Sequence, residues 1–254
     1  MPDAGSYFHS LGGSTVSPTS LSGDSVFTSV GAVNKPHLVR GNFTLKSNSQ
    51  QGFLVSAGDL NVIKSLEIAG HVDPAVNTSA SLGMTGGNIV GTNNTELQVN
   101  FGFAMSGGRF KTTDVGLTTS NHTVLLRGAM SVTGGIIDLS QDTNGLHLGA
   151  LEVVGNVTFT GGTYLARFVA TATSLECNLW KVTDGTFSTA AGANVTATIS
   201  SGALPAADPL APRYWDIITT TGGIPAGDAL PTLAAPAGVT GVDRDTRRLY
   251  SLKW

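Results

Sequence analysis

Apolar and polar residues alternate in short bursts along this chain, and the bursts recur. The clearest is Leu151-Glu152-Val153-Val154-Gly155-Asn156-Val157-Thr158-Phe159-Thr160-Gly161-Gly162. Leu151, Val153, Val157 and Phe159 share one parity; Thr158 and Thr160 share the other. A period of two marks a strand with one buried face, and the glycine between the two halves permits a bend or bulge. The run from Val124 to Gly135 has the same form and aligns without a gap, 27 residues upstream. One step earlier, Leu97 to Gly108 aligns again, with Phe101 in the place of the bend glycine and Gly102 beside it. Leu66 to Val72 repeats the first half only. Leu175 to Val182, followed by Asp184-Gly185-Thr186-Phe187, reads as a shortened copy.

Each full copy ends on an apolar residue, a hydroxyl residue and two glycines. The doublets are Gly86-Gly87, Gly107-Gly108, Gly134-Gly135 and Gly161-Gly162, at steps of 21, 27 and 27 residues. A recurring step of this size marks stacked units, each burying its apolar face against its neighbours. Sustained 3.6-residue periodicity is absent, and serine, threonine, valine and glycine favour strands and turns over helix. Whole blocks resemble one another, which sets a solenoid apart from a sandwich of unlike strands. The pattern predicts an all-β protein, a parallel β-solenoid (β-helix) of about ten coils, roughly 50 Å long at 4.8 Å per strand. The eight doublet glycines are its expected structural turns. Residues 24–199 carry the repeats. Residues 1–23, rich in glycine, serine and proline, form an N-terminal arm or cap. Residues 200–254 hold six of the ten prolines. They break the period and are expected to cap the last coil, whose edge would otherwise recruit other strands.

Composition changes the picture in one respect. Only 12% of the 254 residues are charged, about half the usual share of roughly 25%. Hydroxyl and amide side chains fill the gap, a balance that suits secreted bacterial surface proteins and phage fibres. The expected location is therefore extracellular or at a cell surface. The net charge is −3, and no basic run exceeds Arg247-Arg248, which argues against nucleic-acid binding. No apolar stretch is long enough for a membrane-spanning helix. Residues 1–13 have no basic start and no apolar core, so they do not read as a signal peptide. Cys177 is the only cysteine, which excludes an intrachain disulfide and a zinc site built on paired cysteines. Alternation makes it a core residue.

Candidate chemistry is thin. Glu67, Glu152 and Glu176 follow a leucine in three strand copies. Stacked, they would make an acidic ladder able to hold calcium or a sugar; Gln98 and Leu125 occupy the same place in the other copies, as on a plain solvated face. Asp73, Asp114, Asp138, Asp142 and Asp184 fall near turns, where aspartate bonds its own backbone. His9, His37, His71, His122 and His147 form no pair at metal-ligand spacing. No metal, cofactor or catalytic residue is predicted. Arg109, Lys111, Arg127, Asp138 and Arg167 are the charges that could gather on one face, as a polysaccharide-cleaving coil requires, but their spacing does not by itself group them. The Asn-x-Ser/Thr triplets at Asn42, Asn77, Asn93, Asn121, Asn156 and Asn194 are expected from composition. Trp180, Trp215 and Trp254 suggest a sugar platform or, for the last two, packing of the cap.

The closing third resembles the end of bacterial autotransporter-type passenger domains and related β-strand repeat surface proteins. The resemblance lies in Gly192 to Ile199, then Tyr214-Trp215-Asp216-Ile217-Ile218-Thr219, Gly222-Gly223, Leu230, Leu233, Pro236-Ala237-Gly238 and Arg248-Leu249-Tyr250-Ser251-Leu252. The doublet repeats of residues 66–187 are similar to that family's coils. The resemblance implies a non-enzymatic structural or adhesive β-solenoid. No membrane-spanning barrel follows Trp254, so autotransport by a linked barrel is not expected of this piece. The expected partners are a second copy, through the end coils or N-terminal arm, or a surface glycan or protein. The alternatives are a carbohydrate-binding or polysaccharide-cleaving β-helix, and a phage fibre or virion component.

Overall fold

A computed structural model describes residues 9–10, 14–16, 26–30, 37–39, 42–47, 52–57, 59–62, 65–71, 82–84, 86, 88–92, 96–99, 102–113, 123–139, 148–170, 175–203 and 213–253. Among these residues there is no helix, and 25 strands are numbered in chain order. One sheet is β2 (Ser14–Val16), β5 (Asn42–Ser47), β8 (Ser65–His71), β11 (Glu96–Val99), β14 (Thr123–Arg127), β16 (Ala150–Val154), β19 (Leu179–Thr183), β22 (Tyr214–Thr220), β25 (Leu249–Lys253) and β24 (Thr240–Arg244). The other sheet has two wings. The first runs through β3 (Val26–Val30), β6 (Gly52–Ala57), β9 (Leu82–Met84), β12 (Phe103–Met105), β15 (Met130–Asp138), β17 (Val157–Ala170) and β20 (Phe187–Thr189). The second runs through β1 (His9–Ser10), β4 (His37–Val39), β7 (Asp59–Val62), β10 (Asn88–Thr92), β13 (Arg109–Thr113), β15, β17, β21 (Ala193–Ser201) and β23 (Thr232–Ala234). β15 and β17 belong to both wings because they run through their glycine doublets without a break.

The chain is thus all-β, and its sheets are parallel wherever the repeats meet. In the two wings the register repeats the sequence steps: Phe103 lies opposite Leu82 and Met130, Arg109 opposite Asn88 and Ile136, and Val157 opposite Met130. Parallel pairing stacks like on like, so inward positions become apolar columns. Met105, Val132 and Phe159 form one, and Phe110, Ile137, Tyr164 and Val195 another. Val124, Leu151, Trp180 and Ile218 form a third. Every member of these columns is buried, each contributing about 1.5–3 kcal/mol. Trp180 sits at the centre, 5.4 Å from Phe159, 5.1 Å from Phe187 and 5.6 Å from Tyr164 between ring centroids. It is core, not a sugar platform.

Two details differ from the pattern. The gapless alignment of Leu97 with Val124 fails in the first half, because Leu97 pairs with Leu126 while Phe103 keeps its partner Met130. The corner after β11 holds two more residues than the corner after β14. A shift of two preserves which face a side chain takes, so the alternation does not betray it. The second difference is the shortened copy at Leu175. β18 (Leu175–Cys177) turns back antiparallel onto the end of β17, and it is β19 that continues the stack opposite β16. The 14-residue β17 outruns β15, whose pairing ends at Leu165, while β21 follows it to Val169, and on the β15 side its protruding end needs a partner for its backbone groups.

Of residues 200–254, β22 lies in register on β19, with Ile218 opposite Trp180. β25 then lies antiparallel on β22, and β24 antiparallel on β25.

Candidate functional site

Asp138 ends β15 on the outward parity, yet it is only 3% exposed. Two guanidiniums cover it. Arg167 of β17 approaches side-on, Nε donating to Oδ1 at 3.2 Å and Nη2 to Oδ2 at 3.4 Å. Arg109 of β13 reaches Oδ2 with Nη2 at 3.4 Å. The geometry follows from the ladder. Lys111 lies opposite Asp138, and Asp138 opposite Leu165. Arg109 stands two residues before Lys111, and Arg167 two after Leu165. Each arginine therefore meets the carboxylate along a diagonal between neighbouring strands. The strand ends bring three of the five suggested charges together, with half-buried Lys111 in register beside them. Arg127 is exposed at the end of β14 in the other sheet. The sequence did carry a signal: Arg109, Asp138 and Arg167 are evenly spaced at 29 residues, the 27-residue repeat plus one two-residue diagonal.

One carboxylate between two guanidiniums leaves a net positive charge. Arg109 Nε is buried without an acceptor. Both carboxylate oxygens are engaged, whereas glycoside cleavage calls for two carboxylates flanking the bond. The cluster is suited to fastening three successive strands and to presenting cationic donors at the surface, not to general acid–base work.

A second polar group lies inside. The buried Tyr164 hydroxyl is within bonding distance of the Asn178 carbonyl at 3.1 Å, Asn178 Oδ1 at 3.2 Å and the Ile217 carbonyl at 3.4 Å. Asn178, itself fully buried, accepts the Arg167 amide at 3.0 Å and donates to the Leu165 carbonyl at 2.7 Å. Burial first, then Cys177 and Asp138, pushes the tyrosine well above its usual titration range. Cys177 is half-buried, with Sγ 3.5 Å from the Asp216 carbonyl. Burial, then Asp216 and Glu176, raises its thiol to about 12, which disarms it as a nucleophile. Sequence reading missed Tyr164 and Asn178. An asparagine between Cys177 and Leu179, in an otherwise alternating run, was the available sign.

The acidic ladder does not form. Glu67 stacks under Gln98 and then Arg127. Glu152 stacks under Lys181, with an Nζ–Oε1 distance of 3.1 Å, and Thr183 Oγ1 bonds the same carboxylate. Glu176 sits in β18, paired with Val169. Among the described residues no group of three or more His, Cys, Asp or Glu could hold a metal ion, and no helix is long and apolar enough to cross a membrane. His9, His37 and His71 fall in β1, β4 and β8. His122, His147, Asp73, Asp114, Asp142, Asn77, Asn93, Asn121 and Trp254 lie outside the described residues. Asp184 takes a left-handed turn position, φ 56°. Asn156 and Asn194 are exposed and hydrogen-bond to neighbouring strands.

The doublet glycines fall in a column. Gly86 is a bend, Gly107-Gly108 separates β12 from β13, Gly134-Gly135 lies within β15 and Gly161-Gly162 within β17; Gly87 lies outside the described residues. At Gly135 and Gly162 φ is +87° and +86°. A Cβ on Gly162 would stand 2.8 Å from the Gly135 carbonyl oxygen, and one on Gly135 2.8 Å from that of Gly108. Each doublet is pressed on the one before it, which leaves no room for a side chain.

These elements define an all-β protein of stacked parallel strands. Compared with protein-family models, curated proteins and solved structures, the chain matches none.

Proposed function

We propose that the chain is a β-solenoid whose work is structural or adhesive, at a bacterial surface or in an extracellular assembly. The observation that carries this reading is the register. Eight strands of one sheet follow one another in parallel, β2 to β22, a stack about 35 Å long at 4.8 Å per strand. Length and period suggested about ten coils; the described strands supply eight, followed by an antiparallel pair. Autotransporter-type passenger segments remain the family this reading favours. The outward face of β15, β17 and β21 carries Ser131, Thr133, Thr158, Thr160, Thr163, Asn194, Thr196 and Thr198, and Lys181 pairs with Glu152 on the other sheet, a surface fit for contact.

The second reading, a β-helix that binds or cleaves carbohydrate, is favoured by the gathering of Arg109, Asp138 and Arg167. One assay separates the two. Purified protein is incubated with neutral and acidic polysaccharides while reducing ends and retention on the immobilised polymer are measured. Retention on a surface polymer without release of reducing ends is expected. Release that disappears in Asp138→Asn would replace the adhesive reading with the catalytic one.

The solenoid itself is tested by cysteine pairs in a Cys177→Ser background. Ser131 and Thr158 are outward register partners, so Ser131→Cys with Thr158→Cys is expected to oxidise to a disulfide. Ala104→Cys with Thr158→Cys, two strands apart, is not, since partners more than about 7 Å apart cannot bridge.

A further inference from the structure

The side-on pairing of Arg167 with Asp138 leaves the charges beside it unbalanced. Arg167 engages both oxygens of the carboxylate, so one guanidinium already matches it. Arg109 adds a single contact, at 3.4 Å from Nη2, and its Nε is buried without an acceptor. Lys111 follows on the same strand with the same outward parity, and among the described residues it has no ion pair or hydrogen bond. β13 therefore presents two cations about 7 Å apart along the strand. Their charge exceeds what Asp138, already matched by Arg167, can balance. The other ion pairs among the described residues are one to one: Lys181 with Glu152, Arg244 with Asp216 and Arg247 with Asp243. A buried donor without an acceptor is a place where a bound oxygen fits.

The surroundings of these cations favour a sugar polymer. Ile136 lies opposite Arg109 and Leu165 opposite Asp138, both outward and half-buried, so aliphatic surface lies between the charges. On β21, Asn194 lies opposite Thr163 and Thr196 opposite Leu165, which adds amide and hydroxyl groups one strand spacing further on. An acidic polysaccharide needs all three: aliphatic surface under its ring C–H groups, neutral donors and acceptors for its hydroxyls, and fixed cations for its anionic groups. A nucleic acid calls for a longer row of cations and for stacking rings. The outward positions of β13, β21 and the adjoining halves of β15 and β17 carry no aromatic residue.

We propose that this face binds the carboxylate or sulfate groups of an acidic polysaccharide, with Arg109 and Lys111 as the anion-binding residues. Arg109, held by one contact on a long stem, turns its free donors to the anion while Arg167 keeps Asp138 matched. The proposal rests on the reading that the chain contacts a surface glycan, and names the class of that glycan.

The experiment uses the full chain as wild type, Lys111→Gln, Arg109→Gln and Lys181→Gln. Lys181 lies on the other sheet, so its variant loses the same charge elsewhere. Binding to immobilised polygalacturonate, dextran sulfate and uncharged dextran is measured at about 0.15 M salt. Wild type is expected to bind one of the two acidic polymers at least tenfold more tightly than dextran, and the tighter of the two identifies the group, carboxylate or sulfate. Lys111→Gln and Arg109→Gln are each expected to weaken that binding by roughly tenfold, and Lys181→Gln to leave it unchanged. Lys111→Gln removes no contact within the described fold, so its loss of binding cannot be a loss of folding. Equal weakening in Lys181→Gln would reveal attraction to overall charge and overturn the site. Undiminished binding in both β13 variants overturns the site but leaves the glycan reading standing, as does wild type bound equally to uncharged dextran. Wild type that binds none of the three polymers overturns both.

Discussion

In residues 123–200 a buried side chain lies opposite its own counterpart from the next strand: Val132 opposite Phe159, Ile137 opposite Tyr164, Leu151 opposite Trp180. In residues 221–253, past the last strand of the parallel stack, the polar side-chain contacts are single and unlike. Arg247 meets two carbonyls, Asp216 meets a serine and an arginine, and the buried Tyr250 donates its hydroxyl to the Pro231 carbonyl at 3.3 Å. The first region is held by repetition of one geometry. The second adds to its antiparallel ladders a set of individual bonds that do not repeat. Repetition makes a region robust to exchange among apolar side chains but intolerant of anything that alters the spacing between strands.

The sharpest way to break this contrast is to wedge the repeated spacing. Gly161→Val sets a branched side chain against the Thr133 backbone, which is closer to that position than any real contact permits. A loss of about 4 kcal/mol or more is expected in urea unfolding. A loss under about 1 kcal/mol would mean that the stack yields, and that the doublets do not set the spacing. Next comes removal of a shared core side chain. Trp180→Ala opens the space between Phe159, Tyr164 and Phe187 and is expected to cost about 3–5 kcal/mol, read by the same titration.

The charged cluster sharpens the comparison on the surface of the repeated region. Asp138→Asn removes the charge that both arginines share and is expected to cost about 3 kcal/mol. Arg109→Gln leaves the side-on pair with Arg167 intact and should cost about 1 kcal/mol. Equal losses from the two changes would show that Arg109, the more exposed partner, carries nearly the whole cluster and the Arg167 pair little.

The smallest effect at neutral pH is titration. In the repeated region, burial first and then Asp216 and Glu176 raise the Cys177 thiol from 9.0 to about 12; in the closing segment, burial raises Tyr250 from 10.0 to about 12. In both cases the fold holds the protonated form. The contribution is complete below the unfolded value, 9.0 for the thiol and 10.0 for the tyrosine, and is lost as pH rises towards 12. Stability measured by chemical unfolding should therefore be flat from pH 7 to 9 and fall above it. Cys177→Ser should remove the earliest part of that fall. Tyr250→Phe should remove a later part and, if the closing segment melts first, should change hydrogen exchange there before it changes global unfolding.

The repeated region was legible because its physics is periodic. The parity of Leu151, Val153, Val157 and Phe159 and the 27-residue step both reappear as buried columns in register. What escaped has physical causes as well. Between β11 and β12 the chain spends two more residues than between β14 and β15 without changing any face, so alternation is blind to it. Leu175-Glu176-Cys177 imitates the start of a repeat, but it pairs backwards because β17 is long enough to need covering. In sequence Asp138 reads only as a turn residue and one of several scattered charges, since a diagonal contact between strands has no marker in a single copy. The bonds of Asp228 to Ser188 and Thr189, and of Arg247 to two carbonyls, recur nowhere among the described residues, and a pattern search has nothing there to compare.

The hairpin has a consequence for how the chain is made. β25 follows, in the order of synthesis, every strand it closes. A chain leaving the ribosome from its N-terminus can lay down strand upon strand, but each newest strand offers an open edge until Lys253 has emerged. Nascent chains on one message carry that edge side by side, at high local concentration, for as long as those strands are being translated. The β22 edge is thus closed last, and slow decoding of the codons for residues 223–253 is expected to raise the fraction of nascent chains lost to aggregation.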